Sequence, residues 1–221
     1  MKLLFNALTK FIFGVVAIAL LLFLPAGTFL YPNAYLFMAV LFIPVIIMGV
    51  VLYIKAPELL KKRLSEKESE STQKGVVALS GLMFMAAFII PSLDFRLSLS
   101  SVPTWCVILS AILFLLGYLM FAEVLRENAY LSRTVEVQDG QKVIDTGLYG
   151  IVRHPMYTST LFMFLPMPLI LGSFWGLIPM LFYPPIIIVR IINEEKVLTE
   201  GLSGSSEYKK KVKYRLVPFV W

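Results

Sequence analysis

Residues 157–192 read YTSTLFMFLPMPLILGSFWGLIPMLFYPPIIIVRII, two apolar runs joined by little more than Gly172-Ser173. A bilayer core takes about 20 apolar residues per helical pass, so runs of this kind fold as helices in lipid. The joint of two small residues lets them turn back as a tight antiparallel hairpin. The rest of the chain has the same character. Over 221 residues, 58% are hydrophobic and 14% aromatic, and the mean hydropathy is +0.81, above the ordinary composition of a soluble domain. Working outward from the hairpin segments Tyr157–Leu171 and Phe174–Ile192, further apolar runs lie at Phe11–Leu30, Ala34–Ile54, Val76–Pro91 and Thr104–Glu123. The sequence therefore predicts an all-α polytopic membrane protein of about six transmembrane segments. Five is the alternative, because Val76–Pro91 and Tyr157–Leu171 are short enough to be tilted, partial or paired insertions. The first run is too long for the apolar core of a signal peptide and no small-residue cleavage pattern follows it, so it reads as a retained helix.

Basic residues set the orientation, since they collect on the cytoplasmic side. The connection Lys55–Lys74 holds Lys55, Lys61, Lys62, Arg63, Lys67 and Lys74, whereas Pro25–Asn33 holds none and Ser92–Pro103 only Arg96. Six passes then place both termini, the stretch Val124–Pro155 and the tail after Asn193 in the cytoplasm. The net charge of +6 follows from this bias and from anionic lipid at the inner leaflet, without a nucleic-acid partner. Cys106 is the sole cysteine, which excludes an intramolecular disulfide and a thiolate metal cluster. No metal is expected.

The chain divides into a transmembrane scaffold, residues 1–123, with few charges inside its apolar runs, and a polar-rich region, 124–221, where chemistry is expected. Within the scaffold, Ala56-Pro57-Glu58-Leu59-Leu60 suits a short interfacial helix started by proline, the alternative being a plain solvated connector, in a connection whose Glu58, Glu66, Glu68 and Glu70 balance its basic residues. In the second region Thr134-Val135-Glu136-Val137 alternates like a strand before the turn signal of Gln138-Asp139-Gly140-Gln141. Gly147-Leu148-Tyr149-Gly150 follows, either an ordinary turn or a place where backbone approaches a ligand closely.

Two polar clusters flank the hairpin. In Arg153-His154-Pro155-Met156-Tyr157, which holds the only histidine, Pro155 fits the first turn of a helix and forces His154 into extended backbone outside it. The cluster reads either as a basic juxtamembrane anchor with Tyr157 in the aromatic belt, or as a ligand site at the helix N-terminus. In Arg190-Ile191-Ile192-Asn193-Glu194-Glu195-Lys196, a spacing of four puts Arg190 and Glu194 on one helix face. A carboxylate at membrane depth calls for a partner or a ligand; the alternative is that Arg190 snorkels and both glutamates are solvated. The tight hairpin brings the two clusters together.

These elements, with the tail Tyr208, Val212-Lys213-Tyr214-Arg215 and Pro218, resemble the isoprenylcysteine carboxyl methyltransferase and phospholipid methyltransferase family of integral membrane enzymes. The resemblance covers the C-terminal part of the chain; the first 120 or so residues share only their apolar character. It implies S-adenosylmethionine held in a cytoplasm-facing pocket formed by the loop before the hairpin, the hairpin ends and the tail. Residue by residue it carries cofactor contacts onto Gly147, Tyr149, His154 and Tyr157, with Arg153 and Glu195 contributing, and substrate-side roles onto Arg190 and Glu194. Gln141 joins the cofactor set at a position near which the family often has a histidine, and Ser159 stands where it often has a glycine.

Methyl transfer from a sulfonium needs nucleophile, methyl carbon and sulfur in line, so positioning supplies much of the acceleration. A carboxylate acceptor is already nucleophilic and calls for orientation by Arg190, whereas an amine calls for a base such as Glu194. An acceptor that shares the bilayer explains the apolar scaffold, which points to an isoprenoid or prenylcysteine-type carboxylate or an aminophospholipid. Two rival readings stay open: a membrane sterol-type reductase using NADPH, and a small transporter or scaffold. The first lacks an obvious basic cluster for a 2′-phosphate, and the second lacks charges along the first four segments.

Overall fold

A computed structural model describes residues 2–64, 71–131 and 137–221. The described residues form helices and connecting turns with no strand among them. Of the stretch read as strand-like, only Val137 falls within them, and Glu66, Glu68 and Glu70 lie outside them. The chain builds α1 (Lys2–Ala26), α2 (Pro32–Lys55), α3 (Pro57–Leu64), α4 (Ser71–Leu97) and α5 (Thr104–Glu127). A 3₁₀ turn (Gly147–Gly150), α6 (Pro155–Phe164), α7 (Met167–Ile170), α8 (Leu177–Met180), α9 (Tyr183–Gly201) and α10 (Ser205–Lys211) follow. Among the described residues, five segments are long and apolar enough to cross a membrane: Lys2–Ala26, Pro32–Lys55, Gly75–Leu97, Thr104–Glu127 and Leu177–Gly201. The chain is thus an all-helical integral membrane protein. Only 11% of the best apolar window of α1, and of α2, is buried within the protein, so most of their apolar surface is left for lipid.

The remaining apolar run, Tyr157–Leu171, is not one helix. Pro166 and Pro168 withdraw two N–H donors and clash with the preceding turn, which ends α6 at Phe164 and leaves α7 as a single turn. The descending arm breaks likewise before Tyr183-Pro184-Pro185, whose prolines open α9. From Pro155 to Ile170 the ascending arm is about 24 Å long at 1.5 Å per residue. It nevertheless runs the length of the bundle, because its tip is tied to the turns that join α1 to α2 and α4 to α5. Tyr31 donates its hydroxyl hydrogen to the Leu171 carbonyl at 2.6 Å, and Asn33 Nδ2 donates to the Ile170 carbonyl at 2.9 Å. These are the orphan carbonyls at the end of α7, which lipid cannot satisfy. The fully buried Asp94 accepts the Ser100 N–H at 2.8 Å and the hydroxyls of Ser100 and Ser173. That partnership explains why α4 continues to Leu97, past the Val76–Pro91 run.

All three turns, 27–31, 98–103 and 171–176, therefore sit at one end, and the passes alternate between the two ends. At the other end Leu52, Leu59, Leu60 and Leu125 cluster with Leu3 and Leu131, Lys10 Nζ donates to the Leu64 carbonyl at 2.9 Å, and Lys62 Nζ donates to Gln138 Oε1 at 2.6 Å. The short helix started by Pro57 forms as the sequence implied, with Leu59 and Leu60 buried. The main core lies between the passes and contains Leu22, Phe37, Phe114, Met167, Ile170, Met180 and Ile191.

Close packing of α5 on α6 fixes where the hairpin enters. A Cβ on Gly117 would lie 2.8 Å from the Ser159 carbonyl oxygen and 2.8 Å from Met163 Cγ, so glycine lets the two backbones meet. Gly117→Ala is expected to destabilise the protein by about 1–3 kcal/mol through overpacking, seen as a lower Tm in nanodiscs. Gly49→Ala, where an added Cβ meets nothing within 4 Å, is expected to leave Tm unchanged or raise it. Equal losses for both would contradict the packing account.

Candidate functional site

The two clusters that flank the hairpin meet at the basic end of the bundle. Arg153 lies in a bend and His154, at φ −125 and ψ 60, stands outside α6 without the fully extended backbone expected of it; their N–H groups donate to the Tyr214 and Arg215 carbonyls, each at 2.9 Å. The tail thus pairs with the segment before α6 like a short ladder. Pro155, at the first helical position, gives up no hydrogen bond there and leaves His154 as the helix cap.

Glu195 holds this junction together. Its side chain is only 7% exposed, Oε1 accepts Arg153 Nε at 2.8 Å, and Oε2 accepts Arg215 Nε at 3.1 Å. Lys209 Nζ lies 3.7 Å from Oε2. His154 Nε2 is 3.2 Å from Oε1. An ionised carboxylate flanked by two guanidinium groups only accepts, so Nε2 carries a hydrogen and donates. That fixes the ring, and Nδ1 then faces Glu194 Oε1 at 3.9 Å. Arg153 Nη1 donates in addition to the Val212 and Lys213 carbonyls at 2.8 and 2.9 Å.

Beside this ion cluster a cavity opens between the 3₁₀ turn, α6, α9, α10 and the segment after α5. Helix α9 presents Arg190, Glu194 and Leu198 to it, one residue per turn, and Leu202 follows just past the helix end, so the stripe passes from charged to apolar. Tyr157, 4% exposed, stands between the first two: Arg190 Nε donates to its hydroxyl oxygen at 2.8 Å, and the hydroxyl donates to Glu194 Oε2 at 2.6 Å. Asn128 Nδ2 donates to the Tyr149 hydroxyl at 2.9 Å, and the Tyr208 hydroxyl donates to the Tyr149 carbonyl at 2.8 Å. Burial pushes the phenols of Tyr149 and Tyr208 well above their ordinary pKa, so both are protonated donors at neutral pH. Asp145 at the rim is held below the usual carboxylate range by its hydrogen bond from Lys211 Nζ at 2.5 Å.

Seven of the nine residues singled out from the sequence line the cavity: Gln141, Tyr149, Arg153, His154, Tyr157, Arg190 and Glu194. Gln141 closes the Gln138–Gln141 turn and accepts the Gln138 N–H on its side chain at 2.9 Å. Gly147 and Glu195 do not line it. Gly147 has φ +53 and sits against Glu127, whose Cδ lies 3.0 Å from where a Cβ would be; the same carboxylate accepts the Thr146 hydroxyl at 2.7 Å. Arg190 and Glu194 share a face as their spacing required, but the Tyr157 hydroxyl bridges them, which no helical period reveals. Asn128, Tyr130, Ser205 and Tyr208 also line the cavity. No motif or spacing marked the first three, and Tyr208 stood out only within the tail pattern, with no role attached. Among the described residues no cluster of three or more histidine, cysteine or acidic side chains is placed to hold a metal ion.

Comparison with known proteins bears on the region that builds this cavity. Curated proteins returned no match to the chain. The model of the phospholipid methyltransferase family matches residues 105–203, from the start of α5 to just past α9. The hairpin, the His154 cap and the Glu194-Glu195 pair all lie inside that stretch, over which the chain is similar to the phospholipid methyltransferase family.

Proposed function

We propose that the protein transfers a methyl group from S-adenosylmethionine to a lipid-like acceptor, with the cavity and both termini facing the cytoplasm. The observation that carries this reading is the hydrogen-bonded series Arg190–Tyr157–Glu194 on the cavity wall, next to an oriented His154 and inside the family-matched stretch. In this reading residues 1–123 are scaffold and 124–221 the catalytic region. The concentration of basic residues at the cavity end supports the orientation.

The wall suits such a cofactor. Glu194 offers a carboxylate to a cationic centre, Tyr149 and Tyr157 offer aromatic faces, and Asn128 and Gln141 offer amides to sugar hydroxyls. Leu198, Leu202, Val143 and Ile144 offer apolar surface to a flat base. When bound, the cofactor supplies an electrophilic methyl on sulfur. Arg153, His154 and Tyr157 orient it, with His154 Nδ1 on the cavity side because Nε2 is committed to Glu195. Arg190 orients the acceptor head group, and Glu194 takes up a proton through or beside the Tyr157 hydroxyl when the acceptor carries one. Glu195 acts at one remove, since its oxygens already serve Arg153, His154 and Arg215. Gly147 contributes by letting the 3₁₀ turn lie against Glu127. A lipid acceptor brings its head to this cavity while its tail stays in the bilayer.

The direct test is methyl-labelled S-adenosylmethionine added to the protein in nanodiscs with isoprenoid carboxylates or aminophospholipids, followed by counting of the organic phase. Label should appear with one acceptor class. Label in neither class, from well-folded protein, would overturn the reading. Tyr157→Phe removes the bridging hydroxyl but little volume, and is expected to lower kcat about 100-fold or more with a much smaller change in cofactor affinity. Glu195→Gln should behave differently. With no cofactor present it leaves a cluster of cations without their counter-charge, a loss of about 3–5 kcal/mol, and hydrogen exchange at residues 212–216 should accelerate. Unchanged exchange would return Glu195 to the set of direct cofactor contacts.

A further inference from the structure

The C-terminal loop that backs Arg153 and His154, two residues of the cavity wall, also carries the most exposed apolar side chain of the site region. Phe219 is 88% exposed, Val220 78% and Val217 42%. They do not belong to a frayed strand. The N–H groups of Arg215, Leu216 and Val217 converge on the Trp221 carbonyl at 2.8, 2.9 and 3.2 Å, and the Arg215 guanidinium lies 4.9 Å from the centre of the Trp221 ring. Inside this closed loop Phe219 takes φ +66, a left-handed conformation that residues with a Cβ seldom adopt. An ordered backbone in an unfavourable conformation thus presents a large apolar ring to the outside.

Its neighbours fix the height of the loop. Leu216 is buried in the same cluster as Tyr157, Ile187 and Ile191 of the hairpin, and its carbonyl accepts the Thr158 hydroxyl at 2.8 Å in the first turn of α6. The exposed side chains therefore lie level with the point where the hairpin enters its apolar environment. Three exposed cations, Lys210, Lys211 and Lys213, precede them, of which Lys211 is paired with Asp145. An apolar tip beside cations, at the level of helix entry, has the composition of an interfacial segment.

We infer that Val217, Phe219 and Val220 form a membrane anchor: they insert at the boundary between acyl chains and head groups beside α6, with Lys210 and Lys213 on anionic head groups. The same loop supplies Arg215 to Glu195 and the backbone partners of Arg153 and His154. Lipid therefore steadies the loop that backs Arg153 and His154 of the cavity wall, whatever reaction the cavity performs.

The test is a single-tryptophan protein, Phe219→Trp with Trp105→Phe, Trp175→Phe and Trp221→Phe, in nanodiscs of mixed zwitterionic and anionic phospholipid. Its emission should be blue-shifted, and most of it should be lost when the lipids are brominated on the upper acyl carbons, with little quenching by aqueous iodide. Strong iodide quenching without loss to brominated lipid would place the loop in water and overturn the anchor. Protection from both quenchers would mean that protein, such as a second copy, covers the tip, and would overturn it equally. Phe219→Ser with Val220→Ser in the otherwise unaltered chain should speed hydrogen exchange at Arg215–Val217 in nanodiscs. Unchanged exchange would refute the coupling between lipid and the loop that backs Arg153 and His154.

Discussion

One buried carboxylate organises the functional end of this protein. Glu195 draws together the segment before α6, helix α10 and the C-terminal loop, none of which would stay in register without it, because Arg153, Arg215 and Lys209 would repel each other. A carboxylate so enclosed is tolerable only when its partners satisfy it, and here each oxygen has at least one charged donor. The ion cluster also decides the orientation of the only histidine: with Nε2 bound to Glu195, Nδ1 turns toward Glu194 and the cavity. The Tyr157–Glu194–Arg190 series then occupies the neighbouring face of α9, so an electrostatic anchor and a hydrogen-bonded cavity wall arise from adjacent glutamates.

At the far end a different constraint operates. Lipid offers no hydrogen bonds, so a hairpin broken by Pro166, Pro168 and the Pro184-Pro185 pair must find protein partners for its loose carbonyls. Tyr31 and Asn33 supply them, while Asp94 with Ser100 and Ser173 ties the tip to the α4–α5 turn. Fixing the tip sets the height at which Pro155 starts α6 and Arg190 and Glu194 sit on α9. The distant scaffold thereby positions the site without contributing a side chain to it.

Much of this was legible in the sequence because the signals were local. Apolar length gave the passes, Pro57 and Pro155 gave the starts of α3 and α6, and the four-residue spacing gave the shared face of Arg190 and Glu194. Lys55–Lys74 marked the basic end. What was not legible depended on residues far apart in the chain. The continuation of α4 through Asp94 requires a hydroxyl 79 residues away. The insertion of Tyr157 between Arg190 and Glu194 requires the hairpin to close with a particular rotation. The partners of Glu195, Arg215 and Lys209, lie in a tail whose path no periodicity predicts. The neighbour of Gly147, Glu127, likewise belongs to the end of α5.

The cavity's identity as a methyl-donor site is tested most directly by calorimetry of the full chain in nanodiscs, titrated with S-adenosylmethionine and separately with NADPH. The account predicts saturable binding of S-adenosylmethionine, weakened by His154→Ala, and no heat from NADPH. Saturable binding of NADPH with none of S-adenosylmethionine would contradict it.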